Sequence, residues 1–383
     1  MRLSGWSWVC ALVLGSKTVA AESDAPLGVP VPDVHAFVSQ GFILTSGNNY
    51  IVRSKDGSFE LSEVGINFTE TVTDKLRLGL QLFAHKPATG GSYNAKFDWF
   101  YLDYRWTDWL GFRAGRTKLP FGLYNEINDV DSARVPILLP QSIYPVANRD
   151  YLLAQTGAEI YGRLNLPSAG ALDYRLYGGT IFLDVANQPG SPFQVVELRT
   201  PYLVGGRLLW ETPLEGLRAG GSLQTLRLDA KLLQGMTVID LQIPATLAVA
   251  SVEYAPQDLL VAAEYSRWFV SSHSSPPGLF PEATTVSERG YGMVAYRVAS
   301  WLQPGAYYSF MYPDVDHRNG RAAWQHDVAA TLRFDINDHW LFKLEGHYMA
   351  GTAGLTTALN DNVGLPLLER NWVVFLAKTT AYF

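Results

Sequence analysis

Cysteine is almost missing from this 383-residue chain, and the single one, Cys10, lies in the first apolar stretch. Without a second thiol there is no disulfide framework, and the body of the chain has no thiol chemistry. Charge is scarce as well: Asp, Glu, Lys and Arg make up 17% of residues, where soluble globules carry roughly 25%. Beyond the N-terminus no apolar run approaches the roughly 20 residues of a membrane-crossing helix. The 13% aromatic content excludes disorder, because chains too polar to collapse are poor in aromatics. The seven histidines show no metal-ligand spacing, and there is no Gly-x-Ser-x-Gly elbow for a hydrolase. What remains is an all-β chain whose apolar residues are dispersed by alternation.

Residues 1–21 read as a secretory signal: Arg2 is the basic start, Trp6 to Gly15 the apolar stretch, and Thr18-Val19-Ala20-Ala21 the small residues for cleavage. The alternative is a buried N-terminal strand. Residues 22–33 form a short lead with Pro26, Pro30 and Pro32, and residues 34–383 are expected to be one domain. Removing Arg2 and Lys17 leaves 28 basic residues against 36 acidic ones, a net charge of −8. Nucleic acid is therefore not an expected partner.

From residue 34 onward the chain alternates with period two. Leu76, Leu78, Leu80, Leu82 and Ala84 interleave with Arg77, Gly79, Gln81, Phe83 and His85. Val328, Ala330, Leu332 and Phe334 interleave with Asp327, Ala329, Thr331 and Arg333. Side chains of a strand point alternately to opposite faces, so this period means strands that are wet on one side only. Sixteen such segments can be counted, at about 34–46, 58–72, 75–86, 96–106, 109–117, 155–164, 171–183, 201–211, 216–227, 244–255, 258–269, 288–298, 301–312, 324–335, 339–350 and 371–383.

Their connections alternate in length. Thr73-Asp74, Thr107-Asp108 and Asn337-Asp338 are tight, whereas 118–154, 184–200, 228–243, 270–287, 313–323 and 351–370 are long and polar. Short turns at one rim and long loops at the other are the signature of a transmembrane β-barrel. Trp106, Trp210, Tyr254, Tyr296, Phe334 and Trp340 fall beside the short turns on the apolar face, where a girdle of amphipathic rings belongs. The last strand carries Phe375, Ala377, Thr379, Ala381 and Phe383 on one face, like the terminal strand by which outer-membrane proteins are recognised for assembly. Lipid offers no hydrogen bonds, so the last strand must pair with the first. The expected fold is a closed, 16-stranded antiparallel barrel with oily rows outside and a hydrophilic inner face.

A barrel of this width is not filled by side chains. The connection 118–154 is the longest by far, and we expect it to fold into the lumen as a constriction; the alternative is a loop lying outside. By parity seven arginines point inward: Arg77, Arg105, Arg113, Arg163, Arg175, Arg207 and Arg218. By the same parity those strands point in four carboxylates, namely Asp103, Glu159, Asp173 and Glu211, an excess of three positive charges. The next two strands offer Glu253 and Glu264. The loop supplies Glu126, Asp129 and Asp131 against Lys118, Arg134 and Arg149. Arginines facing loop carboxylates would set a transverse field on permeating solutes, with Arg113, Arg116 and Lys118 nearest the loop. The competing reading is a neutral structural belt.

The stretch Gly115-Arg116-Thr117-Lys118-Leu119-Pro120-Phe121-Gly122 ends a strand and opens the long loop. With Leu139-Pro140-Gln141-Ser142-Ile143-Tyr144 and Thr156-Gly157-Ala158-Glu159-Ile160-Tyr161-Gly162, it resembles the phosphate-selective and related outer-membrane porins. That resemblance implies a homotrimeric passive channel constricted by its third external loop. The lysine ladder of phosphate-specific members and the N-terminal coiled coil of some relatives are both missing.

Gly290-Tyr291-Gly292-Met293-Val294-Ala295 begins like a dinucleotide fingerprint, but it lies inside a strand and is not followed by a helix. No catalytic constellation emerges, and the chain is read as no enzyme, with no cofactor and no metal. The expected function is a porin in the outer membrane of a Gram-negative bacterium. It would pass small hydrophilic solutes with a mild preference for anions, phosphate or small carboxylates among them, with membrane lipid around it. The other reading is a plugged barrel that binds ligands or surfaces through its loops.

Overall fold

The computed structural model describes residues 32–86, 93–183 and 193–383. The expected leader, residues 1–21, lies outside them. The described residues form one antiparallel sheet of sixteen strands. These are β1 (Asp33–Thr45), β2 (Ser62–Thr73), β3 (Leu76–His85), β4 (Asn94–Thr107), β5 (Leu110–Lys118), β6 (Ala154–Leu166), β7 (Gly170–Thr180) and β8 (Gln194–Glu211). They continue as β9 (Leu217–Gln234), β10 (Thr237–Tyr254), β11 (Leu259–Ser275), β12 (Ala283–Tyr296), β13 (Leu302–Tyr312), β14 (Gln325–Asn337), β15 (Trp340–Gly351) and β16 (Asn371–Tyr382). Each strand pairs with the next. The sheet closes where β1 meets β16, from Phe37 opposite Tyr382 to Thr45 opposite Val374. Closure leaves no strand edge exposed, the condition for crossing hydrocarbon with strands.

The outward rows match the alternation. Leu78, Leu102, Val328, Leu332 and Tyr348 are exposed on the outer face. Trp106, Trp210, Tyr296 and Trp340 are exposed beside the short turns, joined there by Trp109 and Trp301. Amphipathic rings at one level mark a membrane surface.

Three expectations need correction. Residues 228–243 are not a long loop. The alternation of Leu228, Ala230 and Leu232 against Arg227, Asp229 and Lys231 continues through them, so β9 and β10 extend to a two-residue turn at Gly235-Met236. Gly235 has φ +60, a conformation that tight hairpins require and only glycine adopts freely. Strands of 18 residues, tilted as barrel strands are, reach about 20 Å beyond a 25 Å apolar band. The stretches 184–200 and 270–287 likewise shorten, because β8 begins at Gln194 and β11 runs to Ser275.

The inner face is also not uniformly hydrophilic. Leu226, Ala245, Leu247, Val249, Leu260, Ala262, Met293, Ala295 and Ala329, all on β9 to β14, form one buried apolar cluster. They pack against Leu119, Phe121, Leu123, Tyr124, Val135, Leu139, Ile143 and Tyr144 of the β5–β6 connection. Each large apolar side chain removed from water contributes about 1.5–3 kcal/mol. The connection therefore has a dry surface to adhere to and is not held by polar contacts alone.

Candidate functional site

The β5–β6 connection, residues 119–153, holds its own shape before it touches the wall. Asn125 Nδ2 donates to the carbonyls of Leu119 and Leu152, each at 2.8 Å, and the Leu119 amide donates to the Leu153 carbonyl at 2.8 Å. The Tyr144 hydroxyl accepts from the amides of Leu123 and Tyr124 at 2.9 and 3.0 Å. These bonds satisfy backbone groups that no regular element serves.

The connection then bonds to strands around the barrel. On one side the Tyr124 hydroxyl donates to Glu253 of β10 at 2.7 Å, and the Leu123 amide to Glu264 of β11 at 2.8 Å. Ser142 donates to the Gly290 carbonyl of β12 and accepts from Ser309 of β13. Further round, the amides of Ile137 and Leu138 donate to Glu345 of β15 at 2.7 and 2.9 Å, and Arg333 of β14 donates to the Ser132 carbonyl at 2.7 Å. On the opposite side Gln81 of β3 reaches Asp129 at 2.7 Å, and Arg149 forms a two-pronged pair with Asp98 of β4 at 2.6 and 2.9 Å.

The wall from β3 to β9 is different in kind, being charged and in part wet. Asp103 lies between Arg77 at 3.0 Å and Arg113 at 3.1 Å, and Glu159 between Arg113 and Arg175, each at 3.3 Å. Glu126, on the connection, gives one carboxylate oxygen to Arg175 at 2.6 Å and the other to Arg207 at 2.9 Å. Arg163 bonds Asp173 at 2.8 Å and Glu211 at 2.5 Å, and Arg218 bonds Glu253 at 2.8 Å. Arg113 also lies over the rings of Tyr101 and Tyr161, at 4.8 and 5.0 Å, an arrangement that favours guanidinium over ammonium. The Asp103 and Glu159 side chains are buried, whereas those of Arg77 and Arg175 remain about a quarter exposed.

The other expected residues have settled differently. Arg105 pairs with Asp108 on a short turn, both largely in water at the rim. Lys118 is bonded to Asp129 at 2.5 Å and to the Glu126 carbonyl at 2.7 Å. Arg116 occupies the alternate position to Arg113, in register with Phe100, and its Nε donates to the Asp98 carbonyl at 2.8 Å. Arg134 is buried within the connection, bonded to the Ile137 carbonyl and 3.4 Å from Asp131. Loop carboxylates and wall cations are thus in direct contact, not facing each other across water as the sequence suggested.

Two features escaped the parity reading. A bulge in β4 shifts the register so that Gln81 opposes Trp99 while Leu82 opposes Phe97. Asp98 is the residue left over, and it turns inward to meet Arg149; re-aiming a side chain is what a bulge does. The second is a fully buried network on β14 to β16. Lys343 is 0% exposed and bonds the Asp131 carboxylate at 3.1 Å and the carbonyls of Asp131 and Arg134 at 2.7 and 2.8 Å. Thr380 donates to the same Asp131 at 2.7 Å. His347 lies between Asp327 at 2.9 Å and Glu345 at 3.0 Å. Alternation places these residues on the inner face, but no pattern in their own strands indicates that a distant segment covers them.

Charge on the connection is stabilised by its partners. Burial alone would push the Glu126 carboxyl up, but Arg175 and Arg207, with Arg113 and Lys118 behind them, outweigh it and hold it down at about 2. Asp131 is likewise held well below its ordinary range against burial, by Lys343 first and then Lys378 and Arg134. A depressed carboxyl stabilises the fold above its ordinary pKa and loses that contribution as pH falls through the lowered one. For Glu126 the window runs from 4.5 down to about 2. Acidification across it is expected to lower the denaturation midpoint in urea, with the Glu126→Gln variant flat over the same range. The same fall in both proteins would show that this carboxylate contributes none of the pH-dependent stability.

Among the described residues no group of three or more His, Cys, Asp or Glu is arranged to hold a metal ion. No protein-family profile matches the chain, and no characterised protein matches it in sequence. In three dimensions it is similar to OmpT of Vibrio cholerae, at 13% identity and a TM-score of 0.59 over 93% of this chain and 99% of that one. It is also similar to the outer membrane channel DcaP of Acinetobacter baumannii, at 12% identity and a TM-score of 0.55 over 92% and 97% of the two chains. A third likeness is to an anion-selective porin from Comamonas acidovorans, at 10% identity and a TM-score of 0.52 over 92% and 99%. The chain therefore has the porin-like barrel of proteins in the Gram-negative outer membrane, and that membrane is its location. The expectation that it is no enzyme is corrected. With OmpT of Vibrio cholerae among the similar structures, likeness at 13% identity carries the fold and says nothing for or against catalysis, so the exclusion is withdrawn.

Proposed function

We propose that the chain is a diffusion channel for small hydrophilic solutes with a mild preference for anions, narrowed by the β5–β6 connection. The observation that carries this reading is the unequal exposure within the ion pairs of the β3–β9 wall. Asp103 and Glu159 lie buried behind their arginines, while the guanidinium groups of Arg77, Arg113 and Arg175 keep contact with water. A solute in the lumen meets the positive partner of each pair first. Field lines are concentrated by low-dielectric walls, so modest excess charge biases which ions enter. The anion selectivity named for the similar porin of Comamonas acidovorans supports the same direction.

The test is the reversal potential across a planar bilayer in a salt gradient. Its sign is expected to report anions as the faster ions, by a small factor; strong cation selectivity would defeat the proposal. We further propose a homotrimer, supported by the trimer form in which OmpT of Vibrio cholerae is known. One observation favours a different reading, a plugged barrel that binds through its loops: a large part of the inner wall is dry and covered by the connection. Steady ion conductance separates the two, because a plugged barrel carries none.

A further inference from the structure

Arg175 and Arg207 are direct cross-strand neighbours on β7 and β8. Like charges set directly opposite each other in a sheet repel and destabilise the pairing. On the strands themselves Asp173 of β7 acts on both arginines from a distance, but its direct bond goes to Arg163. Relief comes from elsewhere in the chain, as Glu126 places one carboxylate oxygen on each arginine at 2.6 and 2.9 Å. The buried Glu159 touches Arg175 only at 3.3 Å and is shared with Arg113. Two guanidinium groups gripping the two oxygens of one acid group is the geometry by which arginines recognise carboxylate and phosphate.

Glu126 is also built to let go. Its backbone is fixed, since Lys118 holds its carbonyl at 2.7 Å and the neighbouring Asn125 ties the connection to Leu119 and Leu152. Its side chain is 25% exposed. The carboxylate can therefore swing off the arginines by side-chain rotation alone, leaving the connection in place. Departure uncovers two adjacent cations whose remaining direct carboxylate contact, among the described residues, is the shared Glu159, with Asp173 further off.

We propose that Arg175 and Arg207 form an oxyanion subsite, that Glu126 occupies it as a built-in competitor, and that a permeating anion takes its place. The class of ligand follows from the geometry. It carries two oxygens spaced as in a carboxylate or phosphoryl group, and a second negative charge, since a single charge only equals the one it displaces. Inorganic phosphate as the dianion and short dicarboxylates satisfy both conditions; chloride and acetate do not. This proposal rests on the channel reading for its role in transport, though the subsite itself does not.

The full chain, reconstituted in a planar bilayer in potassium chloride, is titrated with phosphate, succinate or acetate at neutral to slightly alkaline pH. Phosphate and succinate are expected to reduce the chloride current with saturation, and acetate to do so only weakly. Phosphate alone acting would assign the site to phosphoryl groups, and succinate alone to carboxylates. Glu126→Gln removes the competitor and is expected to lower the half-blocking concentration about tenfold, the change given by one lost charged contact. Arg207→Lys keeps the charge but loses the fork, and is expected to raise that concentration by a similar factor. The same half-block in wild type and Glu126→Gln, or block indifferent to position 207, would overturn the proposal. Calorimetric titration of the detergent-solubilised protein with phosphate reads the same ordering of variants without any current. A barrel that binds phosphate this way but does not conduct would refute the channel and keep the subsite; one that conducts with no ordered binding would do the reverse.

Discussion

Replacing residues 121–148 with a short flexible linker is expected to raise single-channel conductance on the order of twofold or more, because a 16-stranded barrel without its inner segment is an open pore. The segment carries Phe121, Leu123, Tyr124, Leu139, Ile143 and Tyr144, which fill the space before β9 to β14. Its removal exposes a wall of Leu226, Leu247, Val249 and Met293 to water, so the variant is also expected to bind apolar dyes that the parent excludes. Single-channel recordings check the first effect and dye fluorescence in detergent the second. An unchanged conductance would mean that the connection contributes nothing to the resistance of the passage.

The second large effect belongs to Lys343. Its side chain is 0% exposed, and its ammonium is satisfied by the connection, through Asp131 and the carbonyls of Asp131 and Arg134. Lys343→Met leaves those acceptors facing a methyl group, and removing one partner of a buried ion pair costs about 3–5 kcal/mol. The cost is expected as a lowered denaturation midpoint in urea, with the barrel strands still formed. Adding Asp131→Asn to the variant is expected to restore part of the loss, because the carboxylate left behind is then neutral. Additive effects of the two substitutions would show that the residues do not act as a pair.

The barrel itself was legible because lipid imposes a simple rule on every strand, and the rule is local. Leu78, Leu102 and Val328 must face outward whatever the rest of the chain does, so alternation, strand number and closure could all be read from the residues. The inner surface obeys no such rule. Leu247 and Val249 alternate with Ala248 and Ala250, so β10 shows apolar residues on both faces, and nothing in it says that the inner row is dry. That depends on Phe121 and Tyr144, more than 100 positions away.

Asp98 was lost for a different reason: one extra residue in β4 reverses parity beyond it, and bulges leave little trace in composition. The arginines of β3 to β9 could be listed because each sits on an alternating part of its strand, although Arg105 ends at the rim beside Asp108. Their partners were less accessible. Sequence could count Glu126 against them but could not bring its two oxygens to Arg175 and Arg207. The extended β9–β10 hairpin shows the opposite weakness, where polar outer residues such as Asp229 and Lys231 were mistaken for loop although the alternation continued beneath them.

The join between β1 and β16 has a consequence for how the molecule comes into being. Ser39 and Thr380 share a hydrogen bond although 341 positions separate them, and contacts so remote in sequence are the slow ones to form. The far attachments of the inner segment, at Glu345, Lys343 and Thr380, lie on the last two strands to be synthesised. An unfinished barrel therefore has nowhere to moor that end, and the aperture reaches its final bore only after the ring is complete. Maturation of the pore is in this sense a readout of finished assembly, and a chain cut short before Lys343 would leave a cork without a neck to sit in.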